Sequence, residues 1–371
     1  MIAQRPSIHV IAKRANVSAV TVSRILNGKV RGARPKSALR IAEIHRIADE
    51  IGYRPHMAAR SMASGRFSSV GLIRGRDDGT SNDFGGHLTW QMEQTFSRRG
   101  ITVLIGTMDD SQLDDVAYVP RLLRELSSDG LVINYTHNLP PHLLAIIEDH
   151  KLPVVWPNSN RPYNSVYPDD FNGARRATEL LLRLGHTRIA FASAKPNPLQ
   201  DPHYSKADRR NGYQAAMANA DLAPEFFDMP DYWRGAILPT CDWLSQPQRP
   251  TAIVGYGFFE ANTMIMAAAR LGLQVPRDLS IVGMCSSFER AVTGLPLTML
   301  EIPVVAMGEA AAEMLLERIA HPGTPLPSRV LPFSLAEGDT TAPPPGVKNI
   351  PQAGEPVAPL PPQRDILPTP G

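Results

Sequence analysis

The side chains best suited to chemistry lie near the start of the chain. In NVSAVTVSRILNG, residues 16–28, Arg24 is the only charged residue, and the flanking segments are crowded with Lys and Arg. Read as a helix, this stretch turns Val22, Ile25 and Leu26 inward and Ala19, Val20 and Arg24 outward. A guanidinium on such a face donates two hydrogen bonds to O6 and N7 of guanine, while Ala19 and Val20 offer apolar contact suited to a thymine methyl. The polar groups around them, on Ser7, Ser18, Thr21, Ser23, Asn27 and Tyr53, are phosphate-ligating types. So are Lys29, Arg31 and Arg34 in the loop that follows.

The charge distribution agrees with that chemistry. Residues 1–66 hold 13 Lys and Arg against Glu43, Asp49 and Glu50, a net of +10. The whole chain of 371 residues sums to +2, so the remainder carries −8. A basic head on an acidic body suits a polyanionic partner met by the head alone. Cys241 and Cys285 are far apart and form no CxxC pair, so neither a zinc site nor a disulfide framework is expected, and a reducing cytoplasm fits. There is no apolar run of about 18 residues, hence no expected membrane partner. The sequence has no GxSxG, Walker, HExxH or complete GxGxxG motif, and its ten histidines are scattered without ligand spacing. No enzyme activity, metal or cofactor is expected.

These residues need elements to hold them. Ile8, Ile11, Ala12 and Ala15 recur at helical spacing behind Ser7, whose hydroxyl is placed to cap the first turn. Asn16 suits a left-handed turn, Ser18 a second cap, and Gly28 a stop. Pro35 opens a third helix with an apolar stripe of Ile41, Ile44, Ile47, Ala48 and Ile51 that ends at Gly52. The pattern is helix-turn-helix, in which the second helix enters the major groove. From Val70 onward, runs such as VGLI, ITVLIG, DGLVIN, LPVVW, TRIAFAS, TAIVGY and LSIVGM alternate with helical patterns. Those include WQMEQTFSRRG, YVPRLLRELSS, GARRATELLLRLGH, NGYQAAMANA and TMIMAAARLGL. This βαβ rhythm predicts α/β architecture with two doubly wound parallel sheets. Residues 342–371 contain ten prolines and read as a disordered tail.

IAKRANVSAVTVSRILNG, followed by GYRPHMAARSMASG, resembles the head of the lactose-repressor (LacI) family of transcriptional regulators. The likeness continues through SSDGLVI, GHTRIAF, RRNGY, RPTAI and VPRDLSIVG. It implies an all-α DNA-binding head over 1–54 and a hinge helix over 55–66. The effector-binding and dimerisation body then spans 67–341 and is similar to periplasmic binding proteins. One lobe is expected over about 67–160 and 290–323, the other over about 161–289 and 324–341. The resemblance further implies a homodimer on a near-palindromic double-stranded operator, with the dimer contact running through the helix at 308–319. The hinge positions are His56, Ala59, Arg60 and Met62. Met62 stands where the family has a leucine wedge for the minor groove. The loop around 28–35 is longer than is usual, and either extra phosphate contacts or a merely solvated loop explains it.

The family's effector lies between the lobes, where open α/β sheets bind ligands. Arg209 in RRNGY matches the effector-binding arginine, a group able to hold two hydroxyls or a carboxylate. Gly257 and Phe258 replace a common Asn-Asp pair, Cys285 replaces an Asp, and Asn158 stands where many members have Asp. Phe84, Tyr232 and Trp233 are rings that either stack on a ligand or fill core. The expected effector is a sugar or related metabolite, less hydroxylated or more anionic than usual. A DNA-binding protein whose body senses nothing, and a cleft enzyme of unrecognised chemistry, are the readings left open beside it.

Overall fold

Seven side chains close the head into one small core: Ile11, Ala12, Val22, Ile25, Ile44, Ile47 and Ala48. They come from α1 (Ile8–Arg14), α2 (Ala19–Leu26) and α3 (Pro35–Glu50). Asn16 takes a φ of 50° between α1 and α2, and the Val17 amide donates to the Ala12 carbonyl at 3.0 Å, which makes the turn tight. The Ser18 hydroxyl accepts from the Thr21 amide at 3.1 Å and caps α2 as expected. Ser7 departs from expectation. Its side chain makes no cap bond, and its carbonyl alone serves α1, accepting from the amides of Val10 and Ile11.

The computed structural model describes residues 6–27, 30, 35–54, 61, 65–75, 83–113, 115–125, 127–135, 139–195, 203–230, 235–290 and 296–346. In the body, β1 (Ser69–Gly75), β2 (Thr102–Met108), β3 (Leu131–Asn134), β4 (Val154–Pro157), β5 (Ser165–Pro168) and β11 (Arg329–Leu331) form a parallel sheet ordered β11-β5-β4-β3-β1-β2. The second sheet contains β6 (Ile189–Ala194), β7 (Glu225–Met229), β8 (Ala252–Gly255), β9 (Ser280–Cys285), β10 (Thr298–Glu301) and β12 (Ser334–Ala336). Its order is β12-β10-β9-β8-β6-β7, with β12 antiparallel to β10.

The strand runs are continuously apolar because both sheet faces are covered. Leu72, Val132 and Val155 join one cluster, while their neighbours Ile73, Leu131, Ile133 and Val154 join another. In the first lobe, α4 (Asp83–Ser97) and α12 (Val304–Ala320) cover one face, and α5 (Arg121–Arg124) with α6 (Pro141–Asp149) covers the other. In the second lobe, α7 (Asp170–Arg183) and α8 (Tyr204–Asn219) lie opposite α9 (Ile237–Leu244) and α10 (Phe258–Arg270). A short α11 (Ser287–Arg290) follows β9. Gly212 lets α8 reach α7, since a Cβ there would come 2.0 Å from the Phe171 carbonyl oxygen, a backbone atom with no room to yield.

Several expectations are corrected. YVPRLLRELSS forms only the four-residue α5. β5 pairs with β4, so the first sheet continues past residue 160. β10, expected in the first lobe, pairs with β9 in the second, and β11, expected in the second, pairs with β5 in the first. These strands have three or four residues, too few for alternation to assign them. α12 packs its apolar side within the first lobe, where Gly308 meets Gln91 and Met92 on α4 and Met314 and Leu315 are buried, and leaves Val305 exposed. The chain beyond 341 also begins bound rather than free. The Ala342 amide donates to Ser280 Oγ at 3.0 Å, and its carbonyl accepts from His186 Nε2 at 2.8 Å. The remainder of the Pro-rich tail, 347–371, lies outside the described residues.

His186, from GHTRIAF, joins three segments: beyond Ala342, its Nδ1 meets Thr251 Oγ1 at 2.8 Å and its Nε2 lies 3.1 Å from Ser280 Oγ. Burial holds its ring below the ordinary imidazole range, with the bond to Ala342 acting the other way. The unfolded chain therefore takes up this proton first as pH falls. The contribution to stability is complete above a pH of about 6.5 and is lost as pH drops from there toward the lower folded value. Urea midpoints should consequently fall between pH 7.5 and 5.5 by more in the native protein than in His186→Asn; equal pH dependence would remove His186 as the cause.

Candidate functional site

The head presents one side of α2. Val20 is 66% exposed and Arg24, one turn on, is also exposed, so the two share a solvent-facing ridge. Ala19, beside them at the start of α2, is half-buried and packs against the edge of the head core. Ser18 Oγ and Thr21 Oγ1 are 2.9 Å apart, and Asn27 Nδ2 donates to Ser23 Oγ at 3.3 Å, so four of the expected phosphate ligands form two local pairs along α2. Tyr53 packs at the edge of the head core and Ser7 is half-buried.

Two of the head's three acids, Glu43 and Glu50, are engaged by arginines. Arg46 donates to Glu43 at 2.7 and 2.9 Å and also pairs with Glu50, which lies 3.7 Å from Arg14. Hydrogen bonding to Arg46 holds the Glu43 carboxyl below the usual carboxylate range. Lys29, Arg31, Arg34 and the hinge positions His56, Ala59, Arg60 and Met62 lie outside the described residues. Where the chain resumes, Asp129 of SSDGLVI accepts from the amides of Phe67 and Ser68 at 2.7 and 2.8 Å, anchoring the end of the linker to the first lobe. That role of Asp129 is a pairing across 62 residues, which no local pattern discloses.

Between the lobes, the elements converge on Arg209. It sits on α8, is 6% exposed, and its Nε donates to Asp170 Oδ1 at 2.6 Å. Another guanidinium nitrogen donates to the Tyr256 carbonyl, and the group lies 4.6 Å from the Tyr256 ring centroid. Burial opposes the charge of Arg209, but the Asp170 carboxylate and Tyr256 outweigh it and raise the pKa. The second Asp170 oxygen and the Tyr204 hydroxyl are both buried without a hydrogen-bond partner. Tyr204 faces Asp170 without reaching hydrogen-bond geometry. Burial, followed by the nearby Asp170 carboxylate, raises the pKa of its phenol. Here the site keeps a carboxylate that the substitutions at Asn158, Gly257 and Cys285 suggested was lost.

The remaining positions are distributed unevenly. Asn158, at a φ of 57°, accepts at its carbonyl from His203 Nε2 at 2.9 Å, which ties the first lobe to the start of α8. Tyr167 and Tyr204 meet edge to face across the same gap, with ring centroids 5.8 Å apart, and His87 stacks on Phe288 at 3.8 Å. Gly257 N-caps α10 and donates its amide to Glu260 Oε2 at 3.0 Å. Phe258 packs on the outer core of the second lobe. Cys285 is corrected: it is 1% exposed, belongs to that outer core, and has its sulfur 3.2 Å from Met299 Sδ, so it does not line the gap. The Phe84 side chain and residues Tyr232 and Trp233 lie outside the described residues. Asp170, Tyr204, His203 and Tyr256 were not anticipated. The one local signal was the second acid of Asp169-Asp170, surplus once Asp169 caps α7 by accepting from the Asn172 amide.

Comparison with known proteins gives a consistent picture. Residues 7–56 match the bacterial regulatory proteins of the lacI family, and residues 178–341 match the periplasmic binding protein-like domain. The transcriptional repressor PurR of Escherichia coli is 28% identical over 324 residues, covering 84% of this chain and 89% of the repressor. A LacI family transcriptional regulator from Mycobacterium smegmatis is 30% identical, covering 74% of this chain and 99% of that one, with a TM-score of 0.60. The lac repressor dimer bound to operator and the anti-inducer ONPF shares the fold at 21% identity, with a TM-score of 0.76, covering 91% of this chain and all of that one.

A buried ion pair predicts a specific mutational pattern. Removing one partner leaves a desolvated charge, at a cost of about 3–5 kcal/mol, whereas replacing both with apolar groups is often nearly neutral. Arg209→Ala should therefore lower the thermal unfolding midpoint sharply, and the double substitution Asp170→Leu with Arg209→Met should recover much of the loss. If the single variant melts with the native protein, the pair is not structural.

Proposed function

Because the chain belongs to the LacI family of bacterial regulatory proteins, we propose that Val20 and Arg24 read bases in the major groove of a near-palindromic operator, with two heads of a cytoplasmic homodimer on its half-sites. The protein is a DNA-binding transcriptional regulator of the repressor type, not an enzyme. The observation that carries the reading is the α2 ridge: an exposed guanidinium and an exposed valine, held by the Asn16 turn and the Ser18 cap. Ser18, Thr21, Ser23 and Asn27 lie beside it to meet phosphates, joined by Ser7, Tyr53 and the basic loop of Lys29, Arg31 and Arg34. The linker residues His56, Ala59, Arg60 and Met62 take the minor groove. For the dimer, the exposed Trp90 on α4 and Ile105 on β2 supply apolar surface in the first lobe, as Leu238 and Met266 do in the second. No helix among the described residues is long and apolar enough to cross a membrane.

The effector is a small hydroxylated molecule, sugar-like in class, bound at the Asp170–Arg209–Tyr204 cluster. A ligand hydroxyl can donate to the free Asp170 oxygen and accept from the Tyr204 hydroxyl, the two groups left without partners. Contacts across the gap at Asn158–His203, Tyr167–Tyr204 and His87–Phe288 hold the lobes together. A ligand shifts DNA affinity only by favouring one lobe arrangement over another.

Two measurements test these assignments. Operator sequences selected from a random pool by the native protein should bind Arg24→Ala about 5- to 150-fold more weakly, with the weak salt-sensitive binding retained, in line with about 1–3 kcal/mol for a bidentate base contact. Unchanged sequence preference would mean that Arg24 does not read a base. In thermal melts against sugars, polyols and sugar acids, a binder should raise the midpoint of the native protein and do so far less in Tyr204→Phe. A panel without any stabilising compound would favour a body that senses no hydroxylated effector.

A further inference from the structure

A cavity lies in the first lobe, apart from the interlobe cluster. Its volume is about 460 Å³, within the range of small-molecule sites, and it opens between α6, the end of α12 and the segment joining β4 to β5. It lies against the face of β4 that carries Val154 and Trp156, opposite to Val155. Ile147, Leu152 and Pro322 form apolar wall. The charged lining is unbalanced: Lys151, Arg161 and Arg318 stand against Glu148 alone.

The two arginines are held in place before any ligand arrives. Arg161 lies 4.1 Å over the centroid of the Trp156 ring, which braces the guanidinium plane and leaves its N–H edge available. Arg318 is 8% exposed and donates to the Thr324 carbonyl at 2.5 Å, yet its Nε is buried without a hydrogen-bond partner. A buried N–H of a charged group left unmade is costly, so such a group in a cavity calls for an acceptor. Neither arginine makes an ion pair within 4 Å among the described residues.

We propose that this cavity binds a small organic carboxylate with an apolar body, its carboxylate held by Arg161 and Arg318 and its hydrocarbon part against Ile147, Leu152 and Pro322. Two guanidinium groups suit a planar carboxylate, and an excess of cations over the single Glu148 selects against neutral and cationic compounds.

The test titrates the full-length protein with phenylacetate, 2-phenylethanol and inorganic phosphate, following tryptophan fluorescence and heat. Phenylacetate should bind saturably, and 2-phenylethanol and phosphate at least about tenfold more weakly, a difference of about 1.4 kcal/mol. Arg161→Gln, at a half-exposed position, should weaken phenylacetate by about tenfold or more, and Arg318→Met should do the same where it folds. Binding that survives Arg161→Gln at full strength would place the ligand elsewhere and overturn the proposal. So would the absence of saturable phenylacetate binding, or phosphate binding as tightly as phenylacetate.

Discussion

The body is organised around the buried pair of Asp170 and Arg209. Asp170 begins α7 directly after the chain crosses from the first lobe, and Arg209 lies in the middle of α8, so their 2.6 Å contact fastens the crossing to the helix that borders the gap. The same guanidinium reaches the Tyr256 carbonyl at the exit of β8 and lies 5.7 Å from the ring of Phe333, on the last crossing. Two charges withdrawn from water are tolerated only together. The result is that two of the crossings, α8 and the end of β8 share one electrostatic constraint, and whatever binds beside Arg209 acts on all of them.

Close packing around that pair has its own requirements. Gly173 on α7 allows the Phe333 ring and Met284 to approach to within 3 Å of where a Cβ would stand, and Arg176 donates to the Phe333 carbonyl at 2.7 Å. The Asp169 amide donates to the Leu331 carbonyl, so the first and last crossings are also stitched through backbone. With Gly212 opposite the Phe171 backbone, two glycines let α7 pack closely on both sides, against α8 and against the Phe333 and Met284 side chains. The contacts between the lobes farther out, at Asn158–His203 and His87–Phe288, carry no buried charge pair.

The head was almost wholly legible in the sequence because its determinants are local: Asn16 for a left-handed turn, Ser18 for a cap, Pro35 for a start and Gly52, at a φ of 64°, for a stop. Ser7 was misread because it sits at a helix start, where the cap depends on how the preceding chain arrives. In the body, strands buried on both faces were visible as apolar runs. β7 was missed because EFFDM carries an acid at its first position and another at its fourth at a sheet edge. Cys285 was legible after all. Alternation along β9 puts it with Ile281 on the outer core and Val282 with Met284 on the inner one, so family position misled where period did not. Asp170 was legible only as the second acid beside the capping Asp169, since its partner lies 39 residues away.

The opening contrast between a nearly uncharged α2 and a basic neighbourhood follows from dividing two tasks. On the proposed assignment, charges around the ridge supply affinity that is indifferent to sequence, while the few groups on it supply discrimination, so a cation added to the ridge would strengthen contact with any DNA and dilute that discrimination. Acids beside the ridge would repel phosphate, and on α3 Arg46 partly neutralises Glu43 and Glu50 by pairing with both. The body completes the arrangement. At a net of −8 it is repelled by phosphate, so the +10 head is the part that a duplex attracts.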